Sequence, residues 1–434
     1  MSTADQWRPT AAHARALVVA LAFAVIAVVA RRPDMLVLAT PFAGAAVWAT
    51  LRRPHAVPTV HQSIGHRTVR EGDATTWHIR IDHPDARVDD VAALLEVPDF
   101  IDRRPVEGQV VVALHEDGDD GLDIVVRSTR WGRRRIGPAL VVASSAWGAF
   151  RWTTRSGAHE ASLLTLPQIS PFDAAAPPVH VPGLIGVNRS PRQGSGNEFA
   201  SIRPFQPGDR LRRIHWARSL RAGTLHVSST WADHDRHVVL LVDALEDVGE
   251  SEGIDGLASS LDITVRAAGA IAEHYVHAGD RVAMVMMGSL GIQRVAPASG
   301  HRHLRRLLEV LAEVQPAGAR RDDGRLPRGV GDGAMVVMLS PLMSPASLRR
   351  AVTLADHGIS LLVVDCLPPD LTRRDPRDPY ADITWRIELL KRDREIRRMR
   401  EAGIAVVPWR GPGSLDVVLR DLQHHAGSRL RRSR

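Results

Sequence analysis

At 434 residues the chain is long enough for two or three domains, and 44% hydrophobic with 24% charged residues is a composition that can bury proper cores. One cysteine, Cys366, excludes an internal disulfide framework and any demand for an oxidising compartment. The net charge of +7 is concentrated in two places, which excludes a uniformly basic surface. Eight arginines stand against only Glu198 and Asp209 between 189 and 221, and Arg429, Arg431, Arg432 and Arg434 close the chain.

In chain order, residues 16–30 and 35–51 are uncharged apolar runs separated by Arg31-Arg32-Pro33-Asp34. Each is shorter than the ~20 residues that comfortably span a bilayer. Flanking Arg15, Arg31, Arg52 and Arg53 can snorkel to the interface. Residues 1–55 therefore read as a transmembrane hairpin; the competing readings are a buried αα-hairpin of a soluble domain and a cleaved signal peptide. Arg8, Arg15, Arg52 and Arg53 outside the hairpin, against Arg31 and Arg32 at its tip, put both ends and the soluble bulk in the cytoplasm by the positive-inside rule.

Residues 56–170 change to short β-like runs between turn residues. Thr75–Ile81 alternates faces, and 110–114 and 122–126, flanking a loop rich in Asp and Gly, predict a hairpin. Arg133–Ile136 and Ala139–Val142 follow around Gly137-Pro138, so a small antiparallel sandwich or barrel is expected. Trp131, Trp147 and Trp152 are expected as core or interface aromatics. Residues 171–193, rich in Pro, Ala and Gly, are read as a linker.

Residues 194–230 hold too many specific residue types in too fixed an order for a linker. Pro204 and Pro207 forbid a continuous helix, Pro207-Gly208-Asp209 reads as a turn, and Leu211, Ile214, Ala217 and Leu220 predict a short helix with one apolar side. From 231 to 425, continuous apolar runs alternate with helical patterns. His237–Asp243, Arg281–Met287, Ala334–Ser340, Ile359–Asp365 and Ile404–Pro408 are expected strands. Leu257–Val276, His303–Val314, Pro345–His357, Ile387–Glu401 and Leu415–His425 are expected helices. Such alternation predicts a doubly wound α/β domain with ligands at the carboxyl ends of its strands. Residues 426–434 form a basic tail.

Glu198, Arg203, Gly208-Asp209, Arg212, Ile214, Trp216 and Arg221 fall in the order of the core motif of the bacterial domain of unknown function 58 family, which this segment resembles. Phe205 and Leu220 depart from its usual Tyr and Ala. The resemblance covers nearly the whole chain, including the stretch from Trp131 to Trp152, and is strongest at 194–230 and 277–310. It implies a membrane-anchored protein with a von Willebrand factor A-like α/β domain, working with a MoxR-type AAA+ ATPase. Metal-binding domains of that type carry Asp-x-Ser-x-Ser after the first strand; here Asp243 is kept, but Leu245 and Asp247 replace both serines. A divalent cation at Asp243, Glu246, Asp247 and Glu250 is thus not expected; an acidic helix N-terminus is the plainer reading.

No P-loop, Gly-x-Ser-x-Gly or zinc-type His/Cys cluster is present, and His215, His226, His234 and His237 lack the acid-bearing helical pairing of a zinc site. Cys366 follows an apolar strand and reads as a packed thiol. The expectation is a non-enzymatic adaptor without cofactor. Its site is the basic motif of Glu198, Arg203, Gly208, Asp209, Arg212, Ile214, Trp216, Arg218 and Arg221. Three uses of that motif stay open: an interdomain clasp with Trp216 packed inside, a protein-docking surface, and a polyanion-binding patch for anionic lipid or nucleic acid. For nucleic acid, a recognisable reader fold and interleaved stacking aromatics are both missing.

Overall fold

A computed structural model describes residues 6–82, 87–107, 109–113, 120–155, 160–169, 193–206, 209, 211, 214–231, 237–288, 294–316, 334–369, 371 and 380–410. The linker at 171–193, the expected helix at Leu415–His425, the basic tail and His234 lie outside the described residues, apart from Gln193. The chain divides into two compact units: Met1–Leu166 with Gly253–Asp255, and Pro167–Glu252 with Gly256–Arg434.

The first unit opens with β1 (Arg8–Pro9), α1 (Ala11–Val29) and α2 (Asp34–Leu51). Both helices are long and apolar enough to cross a membrane, and only 17% of each span is buried. Leu21, Val28, Val37, Val47 and Leu51 are exposed, so this is not the covered hairpin of a soluble core. Pro41 is tolerated inside α2, while Thr10 caps α1 by accepting from His13 N–H.

The strands that follow are β2 (Thr59–Ile64), β3 (Thr68–Arg70), β4 (Ala74–Asp82), β5 (Val88–Leu94), β6 (Ile101–Arg104) and β7 (Gln109–Ala113). After these come β8 (Asp120–Ser128), β9 (Gly132–Ile136), β10 (Leu140–Ser145), β11 (Phe150–Thr154) and β12 (Ala161–Leu166). They form sheets of order β1-β11-β10-β5-β7, β2-β4-β8-β6 and β3-β12-β9. Alternation sets the core: β4 buries Trp77, Ile79 and Ile81, and antiparallel β8 buries Leu122, Ile124 and Val126. These pack in one cluster with Val91, Val141, Ala143 and Trp152 of the other sheet, as a sandwich requires. The expected hairpin between 110–114 and 122–126 does not form. β7 pairs with β5 and β8 with β4 and β6, so these consecutive strands belong to different sheets. Of the three tryptophans, Trp131 and Trp152 are buried, but Trp147 is 86% exposed and is no core residue.

The second unit contains β13 (Gln193–Pro204), α3 (Trp216–Ala222) and β14 (His226–Trp231). An α/β body follows: β15 (His237–Asp243), α4 (Ser260–His277), β16 (Arg281–Met287), β17 (Arg294–Ala298), α5 (His301–Ala312), β18 (Met335–Ser340), α6 (Pro345–Asp356), β19 (Ser360–Asp365), α7 (Ala381–Glu401) and β20 (Ala405–Pro408). The sheet order is β17-β16-β15-β18-β19-β20, all parallel except the edge strand β17. Val239, Leu241, Met338 and Val363 pack with Leu354 of α6 and Ile396 and Met399 of α7, while α4 lies against the other face. The sheet is therefore doubly wound, as its continuous apolar strands predict. Compared with the sequence reading, α7 starts six residues earlier, at Ala381, and β17 is an addition. A capping box between Ser259 and Asp262 starts α4.

Candidate functional site

Two places in the second unit gather chemistry-bearing side chains. The first is the basic motif, built on the antiparallel pair β13 and β14, whose register slips between Gly194 and Phe199 before Arg203 comes opposite Val227. Arg203 holds Asp209 through two parallel hydrogen bonds, Nη1 to Oδ2 at 2.8 Å and Nη2 to Oδ1 at 2.6 Å. Such a fork is the strong form of an Arg–carboxylate pair. Asp209 Oδ2 also accepts from Gln206 N–H at 2.9 Å; Pro207 and Gly208, the rest of the predicted turn, lie outside the described residues. The Arg203 guanidinium, and then this amide, hold the Asp209 carboxyl below the usual range; Asp209 in turn raises Arg203.

From that turn the chain reaches α3. His215 is its N-cap, accepting from Arg218 N–H, and Gly223 ends it in the left-handed region at φ 64°. The helix is shorter than expected, because Ile214 forms an isolated β-bridge with Val227 instead of joining it. Its buried side is polar. Ser219 Oγ accepts from His226 N–H at 2.9 Å and bonds the His215 carbonyl at 3.0 Å, which pins the helix to β14. Its apolar residues face outward: Trp216 is 62% and Leu220 82% exposed, beside exposed Arg218 and Arg221. Gly208 and Arg212 lie outside the described residues, as does the side chain of Glu198. Ser219 and His226 went unnoticed in the sequence, where a small polar residue and a histidine give no signal of a helix-to-strand pin.

The second place is the topological switch point. β16 lies on one side of β15 and β18 on the other, so a crevice opens where their carboxyl ends diverge. Asp243 ends β15 there and is only 2% exposed. Its Oδ2 accepts from Ser340 Oγ, at the end of β18, at 2.5 Å, and from Ser347 Oγ of α6; its Oδ1 accepts from Leu245 N–H at 3.0 Å. Leu342, fully buried in the left-handed region at φ 54°, donates its N–H to Ser340 Oγ at 2.9 Å. Leu245 sits so close to Gly288 that a Cβ there would lie 2.8 Å from the Leu245 Cα. The four acids do not converge. Asp247 turns to the start of α4, accepting from Ser259 Oγ at 3.1 Å and Leu261 N–H at 3.0 Å, while Glu246 and Glu250 are exposed. Asp365, ending β19, holds Arg392 of α7, which also donates to the Pro341 carbonyl at 2.8 Å.

A cleft of about 540 Å³ opens at this end of the sheet, lined among others by Glu246, Met343, Trp385 and Lys391. No group of three or more His, Cys, Asp or Glu suited to a metal occurs among the described residues. Cys366 is fully buried, and burial pushes its thiol far up, away from reactivity.

The chain is 28% identical over 184 residues to uncharacterized proteins of Mycobacterium bovis and Mycobacterium tuberculosis, a match covering 41% of this chain. It spans only about half, 56%, of those relatives' length. Among solved structures, it is similar to a chain of the complex between zinc 2-glycoprotein and prolactin inducible protein from human seminal plasma. That match has 11% identity and a TM-score of 0.17, and covers 25% of this chain and 94% of the other. The cupredoxin domain of amoB from Nitrosocaldus yellowstonii gives 8% identity and a TM-score of 0.16, covering 25% of this chain and 86% of the other. Neither likeness bears on function. Residues 201–398, which include most of the basic motif and both strand ends of the crevice, match the model described as Protein of unknown function DUF58.

Proposed function

We propose that the chain is a membrane-anchored, non-catalytic adaptor that offers the α3 surface to a protein partner. The observation that carries this reading is the pairing of Trp216 and Leu220, exposed one turn apart, with Arg218 and Arg221 on a helix pinned by Ser219. Tryptophan and arginine are the residue types that dominate protein-binding hot spots, and a pinned helix costs little further ordering on binding. The two sparsely covered apolar helices support membrane anchoring, and the flanking arginines support a cytoplasmic placement of the bulk.

The doubly wound sheet with Asp243 at the carboxyl end of its first strand supports a von Willebrand factor A-like domain. With both Asp243 oxygens already accepting hydrogen bonds, docking here is independent of a metal. By the family resemblance the partner is a MoxR-type AAA+ ATPase, which would supply hydrolysis while this chain supplies location and recognition.

The test is affinity purification of the full chain from native membranes in mild detergent, with and without ATP. Wild type is compared with the double variant Trp216→Ala, Leu220→Ala. Both positions are exposed, so the variant is expected to melt like wild type. An AAA+ ATPase recovered with wild type and lost with the variant is the expected result. Equal recovery would move docking elsewhere on the chain. If no ATPase appears and salt-sensitive binding to polyanions does, the adaptor reading fails in favour of an electrostatic one.

A further inference from the structure

We infer that the turn Ala146-Trp147-Gly148 of the β-sandwich is a membrane-interface anchor, seating the Trp147 indole among the headgroups of a phospholipid bilayer. The inference rests on the membrane reading of α1 and α2 given above.

Three successive residues of this turn occupy the left-handed region, at φ 52°, 52° and 77°. Two of them carry side chains that disfavour it. The strained backbone displays a large apolar ring that stays mostly in solvent, since Trp147 is 86% exposed while Trp131 and Trp152 are buried. A segment held this way, with its ring in solvent, points to something outside the protein.

The hydrogen bonds of the turn say where it lies. Thr10, the N-cap of α1, donates its Oγ1–H to the Gly148 carbonyl at 2.7 Å and its N–H to the Ala149 carbonyl at 2.8 Å. Trp147 N–H donates to Asp89 Oδ2 at 2.8 Å. The Trp147 ring lies 4.6 Å from that of Trp48, in the last turn of α2, and the Arg52 guanidinium covers Trp48 from 5.4 Å. Trp147 is therefore fixed at the end of the hairpin where the chain enters α1 and leaves α2.

Helices of 19 and 18 residues run about 27–29 Å, close to the ~30 Å hydrocarbon thickness of a bilayer. Their ends then coincide with the headgroup boundary, the depth that tryptophan prefers. The patch is continuous with exposed Val47 and Leu51 of α2, and exposed Arg52 and Arg53 suit lipid phosphates. A bilayer is the occupant that fits an apolar ring, an apolar helix and a rim of arginine at one level.

The test uses the full chain in vesicles of phosphatidylcholine with a minor share of phosphatidylglycerol. Their acyl chains are brominated either near the carbonyl end or near the methyl end. Subtracting the emission of Trp147→Phe from that of wild type isolates Trp147 from the other tryptophans, and an exposed site tolerates the change. Bromine near the carbonyl end is expected to cut that difference emission about twofold or more, and bromine near the methyl end to cut it less. Carbonate extraction is run in parallel. If the chain resists extraction and the Trp147 emission is untouched by bromine and open to acrylamide, the anchor is overturned while the membrane reading stands. If carbonate removes the chain, both fall.

Discussion

Asp243 is an acid removed from water and kept there by three donors from three segments: Leu245, Ser340 and Ser347. Removing the carboxylate leaves those donors without it in a buried site, so Asp243→Ala is expected to cost about 2–3 kcal/mol. Urea denaturation of the full chain would show the transition of the α/β unit moving to lower urea. For the same reason Mg²⁺ or a chelator should leave the wild-type melting temperature unchanged. The Asp209–Arg203 pair makes a different demand. Its carboxyl is held below the usual value near about 3.9, so its contribution is fully present above about pH 5 and is lost as pH falls through about 4 toward the depressed value. The NMR signal of Arg203 Nε–H should stay in place through about pH 4, where a free carboxylate titrates, and shift only at lower pH as Asp209 takes up its proton; a signal that already shifts above about pH 4 would contradict the fork. Asp243 stood out in the sequence as an acid ending an apolar strand. Ser347 did not, since it meets Asp243 across 104 residues.

Among the elements, α3 is the one whose packing runs against its own pattern. Its apolar residues face solvent and one buried hydroxyl holds it to β14, so Ser219→Ala should release it for about 1–2 kcal/mol. Hydrogen exchange would then rise across 216–231, with the α/β sheet unaffected. The threefold spacing of Leu211, Ile214, Ala217 and Leu220 predicted a helix correctly, but spacing carries no information on what lies beneath it. Ile214 was lost to a bridge with Val227. The strands of the α/β body were legible because a strand buried on both faces must be apolar throughout. Among the described strands only β17 escaped: it is five residues long, carries Pro297, and lies at an edge where proline is tolerated. The β7–β8 error has the opposite cause. Alternation tells which face of a strand is buried, but two adjacent strands of a sandwich show the same alternation whether they pair or cross between sheets.

Across the whole molecule, the helical hairpin and the sandwich of the first unit share one core. Trp7, 4% exposed, and Ala49 of α2 pack in the cluster that holds Trp77 and Trp152, and Trp7 Nε1–H donates to the Ala56 carbonyl at 2.9 Å. A fragment beginning at residue 56, the boundary that composition suggests, would lose this tryptophan and the edge pairing of β1. It is expected to be less stable than the full chain by about 3 kcal/mol or more, read as a lower midpoint for the sandwich in urea. A fragment as stable as the parent would make the hairpin a mere leash. The pairing of Pro9 with Phe150 also sets a clock. At about 5–20 residues per second, the ~140 residues between them take roughly 7–30 s to synthesise. For all that time Thr10 waits for carbonyls that do not yet exist. The hairpin is thus born well before the surface that grips it, and the sandwich closes around helices already made.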